Sequence, residues 1–373
     1  MRCLIHAAKA HAGGGITVAM QLIRALSSNS NSLGYEYVLI ASEELAERLS
    51  DTTAMAAIEV VPIERSSGLY ALHYYYMQIP YFLHKYEIDV VFNLGDIILP
   101  RARCPQIYFF DYPLIAGSVY HAGFRGREWV KQTVKKNLIS LSMASNHSII
   151  CQSDLIQSQL QSGYPEIPAR VLPMPLQDWP YVDQDRDPTK FAYVASPSEH
   201  KNHAILLDVA FELRRRRLPY TITVTLLPND NSLTSSLYRR LEAEDLAQYV
   251  VPVGRLEHND VMYLLSSCIG TVMPSTAETY GLPYFESMQT RTPLAVSDLP
   301  FARSACREAA IYFDPMDGRG IVDSMHRIAT EPNLRAHLSN EGAQIVATMT
   351  NTAAYCRRLE DIFDRAVSPT GLA

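Results

Sequence analysis

Two carboxylates, Glu278 and Glu286, stand eight positions apart in the segment Pro274-Ser275-Thr276-Ala277-Glu278-Thr279-Tyr280-Gly281-Leu282-Pro283-Tyr284-Phe285-Glu286. The apolar run Ile269 to Met273 before them predicts a buried strand. The stretch Pro283 to Gln289 after them predicts a helix, with proline in the first-turn position it tolerates. Glu278 is therefore expected on a loop at a strand's C-terminal end, and Glu286 about one turn inside the next helix. N–H groups without helical partners at that helix start, near Gly281 and Leu282, make an anion site. Carboxylates accept hydrogen bonds from sugar hydroxyls, so two of them flanking a phosphate-sized pocket suit a nucleotide sugar. Two surface glutamates alone would say little. The weight lies in the whole pattern, P-S-x-x-E-T-Y-G-L-P-x-x-E, behind an apolar strand.

Other segments carry chemistry of the same kind. Ala195-Ser196-Pro197-Ser198-Glu199-His200-Lys201-Asn202-His203 follows a predicted strand and precedes a predicted helix, Ala204 to Leu213. The Lys201 ammonium there either neutralises a diphosphate leaving group or is an ordinary exposed lysine. His200 and His203 read equally well as ligand contacts or as polar surface. Near the N-terminus, His11-Ala12-Gly13-Gly14-Gly15-Ile16-Thr17 is either a plain tight turn or a loop whose backbone approaches a phosphate. It is not a dinucleotide-binding G-x-G-x-x-G.

Asp111, at the end of the strand-like Tyr108-Phe109-Phe110, either takes a proton from a hydroxyl or caps its loop. Asn93 and Asp96 share that ambiguity. Asp183-Gln184-Asp185-Arg186-Asp187 imitates a metal-binding D-x-D, but it lies in a polar stretch rather than behind a buried strand and reads as a solvated charge cluster. Arg125, Arg127, Lys131, Lys135 and Lys136, interleaved with Phe124, Trp129, Val130 and Val134, describe a basic amphipathic helix. Such a helix either lies on an anionic membrane surface or is simply solvated.

These residues must be held by elements that alternate between strand and helix, the pattern of parallel sheets covered by helices. In the first half, strands are predicted at Cys3 to Ala7, Tyr37 to Ala41, Ile58 to Pro62, Ile88 to Asn93, Gln106 to Phe110, Ser148 to Gln152 and Val171 to Met174. Helices are predicted at Thr17 to Leu26 and Tyr70 to Tyr86. A polar, proline-bearing stretch, Leu176 to Thr189, reads as a linker. Alternation then restarts at Phe191 to Ala195 and ends in a helix, Thr352 to Val367. A chain of 373 residues has room for two domains. Hydrophobic residues at 47% and charged residues at 19% describe a globular chain. A net charge of −6 argues against nucleic-acid partners. The six scattered cysteines, with no C-x-x-C pair, read as buried thiols in a reducing cytosol, and zinc ribbons are unsupported. No run of about 18 apolar residues predicts a membrane span.

The segment 274–286 resembles the donor-site signature of the family 4 retaining glycosyltransferases. Val253-Gly254-Arg255-Leu256 with Val261 to Leu265, Pro293 to Pro300, and Ala309 to Pro315 resemble the elements that surround that signature. The likeness is specific over about residues 190–320 and loose before them. It implies an α/β chain with the GT-B fold, in which two Rossmann-like doubly wound domains face across a cleft. Residues 1–177 would form the acceptor-side domain, 178–188 a linker, 189–350 the nucleotide-sugar domain, and 351–373 a helix crossing back to the first domain.

The implied activity is retaining, metal-independent transfer of a hexose, with mannose the leaning, from a GDP- or UDP-linked sugar. The acceptor would be a hydroxyl of a glycan or lipid-linked glycan, in cell-surface polysaccharide or lipopolysaccharide synthesis. The nucleotide sugar is a co-substrate and no other cofactor is expected. The implied location is the cytoplasm, peripheral on the membrane face. By the same resemblance Glu286 holds the ribose and Glu278 the transferred sugar. Lys201 and the Gly281–Leu282 backbone hold the diphosphate, over which Gly14 and Gly15 close. Ser196, Gly254, Ser275 and Tyr280 complete the donor set, and Asp111 joins Glu278 and Lys201 as catalytic. Two departures stand out. Family members usually carry an arginine five or six residues before the lysine, where this chain has Ser196 and Ala195. They often carry a histidine beside the position of Asp111, where this chain has Phe110. An epimerase on the same scaffold and a non-catalytic nucleotide-sugar binder remain as rivals.

Overall fold

The structure is a computed structural model that describes residues 1–8, 10, 13–29, 34–50, 58–63, 73–95, 99, 102–111, 130, 133, 137, 148–163, 165, 168–180 and 185–368. Residue contacts divide the chain into two compact units, 1–177 with 350–373, and 178–349.

The first unit runs β1 (Arg2–Ala7), α1 (Gly13–Asn29), β2 (Glu36–Ser42), α2 (Glu43–Ser50), β3 (Ile58–Ile63), a π-type turn (Tyr74–Gln78) continuing into α3 (Ile79–Lys85), β4 (Val90–Asn93), β5 (Gln106–Phe109), β6 (Ser148–Cys151), α4 (Asp154–Gly163) and β7 (Ala169–Val171). Its strands form one parallel sheet in the order β3-β2-β1-β4-β5-β6-β7. β1, β4, β5 and β6 are nearly continuous buried runs, as strands covered on both faces must be. The glycines expected as a loop before a helix at Thr17 are instead the first turn of α1. Among the described residues, the neighbours in the chain and the helix's own backbone aside, no atom lies within 4 Å of where a Cβ on Gly15 would sit.

The second unit runs β8 (Asp187–Tyr193), α5 (Leu206–Arg216), β9 (Thr221–Val224), α6 (Ser232–Ala243), β10 (Val250–Pro252), α7 (His258–Ser267), β11 (Cys268–Met273), α8 (Leu282–Gln289), β12 (Leu294–Ser297), α9 (Pro300–Cys306), β13 (Ala310–Phe313), α10 (Gly318–Thr330) and α11 (Pro332–Ala347). Its parallel sheet has the order β10-β9-β8-β11-β12-β13. The chain steps outward from β8 to β9 on one side and resumes with β11 on the other. The loops leaving β8 and β11 therefore part at a switch point, where open α/β sheets place their ligands.

β8 begins at Asp187, so its first three residues lie inside the stretch Leu176 to Thr189 expected as a linker. Pro188 is exposed at the strand's entry, where a missing N–H costs least. Arg186, expected in a solvated cluster, is instead a clamp. Its guanidinium donates to the carbonyls of Leu265, Cys268 and Thr290 and to Thr292 Oγ1. It thereby ties the start of β8 to the C-terminal ends of α7 and α8.

The last helix, α12 (Thr352–Val367), belongs to the first unit. Asn351 caps it by accepting from Ala354 N at 2.9 Å. Tyr355, Leu359, Ile362 and Phe363, at helical spacing, are its buried face. Phe363 packs on Phe92 and Tyr35, and the Tyr35 and Tyr37 hydroxyls donate to Asp364 and Glu360. All six cysteines are free thiols, and five are buried. Among the described residues no helix is long and apolar enough to cross a membrane. The basic stretch carrying Arg125, Arg127, Lys131, Lys135 and Lys136 lies outside the described residues, as do Asp96 and Asp183.

Candidate functional site

The loop leaving β8 is fastened from several sides. Ala195 N donates to Thr225 Oγ1 at 3.1 Å. Asn231, which closes a capping box at the start of α6, also donates through Nδ2 to Pro197 O at 2.6 Å. Tyr193, fully buried at the end of β8, stacks on His203 with centroids 4.9 Å apart and donates its hydroxyl to Lys201 O. Asn202 adopts the left-handed conformation, φ 57°, which asparagine tolerates better than most residues. From there its amide donates to Pro274 O at 3.2 Å and Pro315 O at 2.8 Å. The loop leaving β11 answers with Thr276 N donating to His200 O at 2.7 Å. The loops after β8 and β11 are thus one framework.

On this framework Lys201 Nζ lies 2.6 Å from Glu278 Oε1, with the two side chains only 13% and 9% exposed. Charges so far from water persist only when paired. Burial, then the nearby Lys201 charge, lowers His200 to about 4; burial with the same ammonium lowers His203 to about 3. Both rings are therefore neutral at pH 7 in the ligand-free chain. Burial pushes the Tyr193 and Tyr284 phenols well up, with the Glu278 charge adding to the effect.

Helix α8 starts from Gly281 at φ 77°. A Cβ there would lie 2.4 Å from Tyr284 Cε2, so both backbone and space require glycine. Tyr284 N already donates to Gly281 O at 2.9 Å, and Pro283 has no N–H. The expected anion cradle thus narrows to the Gly281 and Leu282 amides. Tyr280 stacks on Phe285 at 4.5 Å beside this turn. One turn further on, Glu286 is 5% exposed, and its Oε1 lies 3.5 Å from Nδ1 of His258, the first residue of α7.

The structure brings Lys201 and Glu278 into contact and sets Gly281, Leu282 and Glu286 on the adjoining helix start. Ser275 is buried just beyond β11. Ser196 lies in the β8 loop, its Oγ 3.4 Å from Ser198 Oγ. Gly254, at φ 75°, follows β10 with its N–H donating to Leu226 O. Gly14, Gly15 and Asp111 belong to the first unit, in the first turn of α1 and two residues past β5.

That unit has a polar cluster at its own switch point, between β1 and β4. Buried His6 sits 3.2 Å from Asn93 Oδ1 through Nδ1 and 2.8 Å from Tyr74 OH through Nε2, and Gly95 N donates to Asn93 Oδ1. With the Asn93 oxygen so used, the tautomer that fits has Nδ1 protonated and Nε2 accepting from Tyr74. Reasoning from sequence missed His6, Tyr74, Asn202 and His258. The only signal for His258 was its place just after the Gly254 turn. Among the described residues no group of three or more His, Cys, Asp or Glu side chains could hold a metal ion.

Residues 182–345 match the family model described as glycosyl transferases group 1, a span inside the second unit. The O-antigen chain mannosyltransferase RfbU of Salmonella typhimurium is 27% identical over 105 residues, 28% of this chain and 30% of that protein. The matched region thus spans under a third of that relative's length. Over nearly the whole chain the fold is similar to two solved structures. Sucrose-phosphate synthase from Thermosynechococcus elongatus superposes with a TM-score of 0.75 at 15% identity, covering 98% of each chain. HepE from Anabaena, solved in complex with UDP and glucose, gives 0.72 at 14% identity, covering 98% of this chain and 99% of that one. The architecture is the GT-B fold, with a parallel sheet flanked by helices in each unit.

Proposed function

We propose that this chain is a retaining, metal-independent glycosyltransferase that moves a hexose from a nucleoside diphosphate sugar to a hydroxyl of a glycan or lipid-linked glycan. The observation that carries the reading is the Lys201–Glu278 contact at the β8/β11 switch point, beside the Gly281–Leu282 amides. Breaking the anomeric C–O bond moves negative charge onto the departing diphosphate and positive charge onto the sugar ring. Lys201 and the two amides meet the first, and Glu278 accepts hydroxyls of the sugar and faces the second. Glu286 anchors the ribose. Asp111, in the first unit, is the candidate to orient the acceptor hydroxyl and take its proton. The acceptor attacks on the face from which the diphosphate leaves, so the configuration at the anomeric carbon is kept. The matched mannosyltransferase supports a polysaccharide acceptor and a mannosyl donor. The UDP in the HepE complex keeps uracil beside guanine as the donor's base. Peripheral contact with an anionic cytoplasmic membrane face, through the basic stretch 125–136, completes the reading.

Incubation with a panel of UDP- and GDP-hexoses and a glycan acceptor, following UDP or GDP release and the anomeric configuration of the glycosylated product by NMR, tests it. Transfer with the donor's configuration kept is expected; an inverted product or an epimerised donor overturns it. One observation favours a non-catalytic binder instead. The usual arginine is Ser196 here, and His200 is neutral, so Lys201 is left as the cation of this loop. Tight diphosphate binding with no turnover of any donor would select that reading.

A further inference from the structure

Glu286 is almost fully buried, and among the described residues the polar side chain that faces its carboxylate is His258, with Nδ1 3.5 Å from Oε1. A buried carboxylate has room for several hydrogen bonds and is costly to leave short of them. The partner is itself incomplete. His258 turns Nδ1 toward Glu286, while its Nε2 is buried with no hydrogen-bond partner among the described residues. Two adjacent polar groups, from the start of α7 and the first turns of α8, thus have unused capacity at one spot. Packing of α7 on α8 and the Arg186 clamp at the far ends of both helices hold them there. A vicinal diol matches such a pair, because each hydroxyl can donate or accept.

We propose that His258 is a specificity-determining residue, which with Glu286 forms a two-residue seat for the 2′,3′-diol of the donor's ribose. Glu286 takes one hydroxyl and His258 Nε2 the other, while Nδ1 keeps the carboxylate oriented. This rests on the nucleotide-sugar reading and adds to it a contact from a helix outside the signature.

Calorimetric titration of the full-length chain with UDP and GDP, their 2′,3′-dideoxy analogues and pyrophosphate tests it. The wild type is expected to prefer the ribonucleotide. His258→Ala is expected to weaken ribonucleotide binding about tenfold, the loss of one good hydrogen bond. The preference over the dideoxy analogue should shrink by the same factor, Glu286 keeping its own hydroxyl, with pyrophosphate binding unchanged. Two further variants guard against a merely structural effect. His258→Asn reaches Glu286 but lacks a group at the Nε2 position, and should show the same reduced preference as His258→Ala. His258→Gln restores a group near Nε2, and should regain part of it. An unchanged preference in both Ala and Asn variants overturns the role of His258 alone. A wild-type chain that binds no nucleoside diphosphate overturns it together with the reading beneath it.

Discussion

Lys201 and Glu278 are 77 residues apart in the chain, yet their charged atoms meet at 2.6 Å. Two loops leaving neighbouring strands at the switch point put them there, stitched by the Thr276–His200 and Asn202–Pro274 hydrogen bonds. The pair is mostly shielded from water, so each member is the charge partner of the other.

Removing one member should therefore damage both stability and chemistry. Lys201→Ala strands a mostly buried carboxylate, a change that costs about 3–5 kcal/mol when burial is complete. It also removes the cation assigned to the leaving group, for a loss in turnover of about 100-fold or more. Denaturant titration should show the Lys201→Ala/Glu278→Ala double variant to be more stable than the sum of the single losses. Additive losses would mean the ion pair is incidental.

The two glutamates should separate kinetically. Glu286→Gln is expected to weaken nucleoside diphosphate binding by about 1.5–3 kcal/mol, the value of hydrogen bonds to a charged group. Glu278→Ala is expected to depress turnover far more than nucleotide affinity. Calorimetry and single-turnover rates read the two effects, and equal losses in both variants would remove the division of roles.

Gly281→Ala should cost about 1–3 kcal/mol, because alanine at φ 77° is strained and its Cβ strikes the Tyr284 ring. Nucleotide affinity should fall as well, since the cradle amides shift with the helix start. Chemical denaturation with a midpoint equal to that of the wild type would show that the turn relaxes freely.

Stability of the second unit should fall on mild acidification. His200 and His203 are lowered to about 4 and about 3, against an unfolded value near 6.5, so the unfolded chain binds more protons between those limits. Their stabilising contribution is complete above about pH 6.5 and is lost as pH falls toward 4. Denaturation midpoints measured from pH 7 to pH 5, before most carboxylates titrate, should drop. The drop should shrink in a His200→Gln/His203→Gln variant. A flat profile in the wild type would mean that both rings are freely solvated.

Activity should survive EDTA, because the diphosphate is assigned to Lys201 and backbone amides. Abolition by the chelator with rescue by Mn²⁺ would show that a metal completes the site.

Much of the architecture was legible locally. The apolar run before Pro274 predicts β11 to within one residue, and the Gly-Leu-Pro turn predicts α8 equally well. The spacing of Leu359, Ile362 and Phe363 predicts α12 from Thr352 to Val367, which is where it lies. These features follow from period, capping and the backbone demands of glycine and proline, all of which act within a few residues. Where strand pairing decides, the sequence reading slips. β7 lies at Ala169–Val171 rather than Val171 to Met174, because its register is set by pairing with Ile149 to Cys151 on β6. Arg186 looks like one charge in an acidic run until α7 and α8 bring their carbonyl ends to it. The sequence alone determined which residues could bind diphosphate and hydroxyls, because residue type sets charge and hydrogen-bonding capacity. The tertiary structure alone decided that Lys201 faces Glu278 and that His258 faces Glu286. Those contacts depend on the order of strands in the sheet and the packing of helices upon it, which no local pattern encodes.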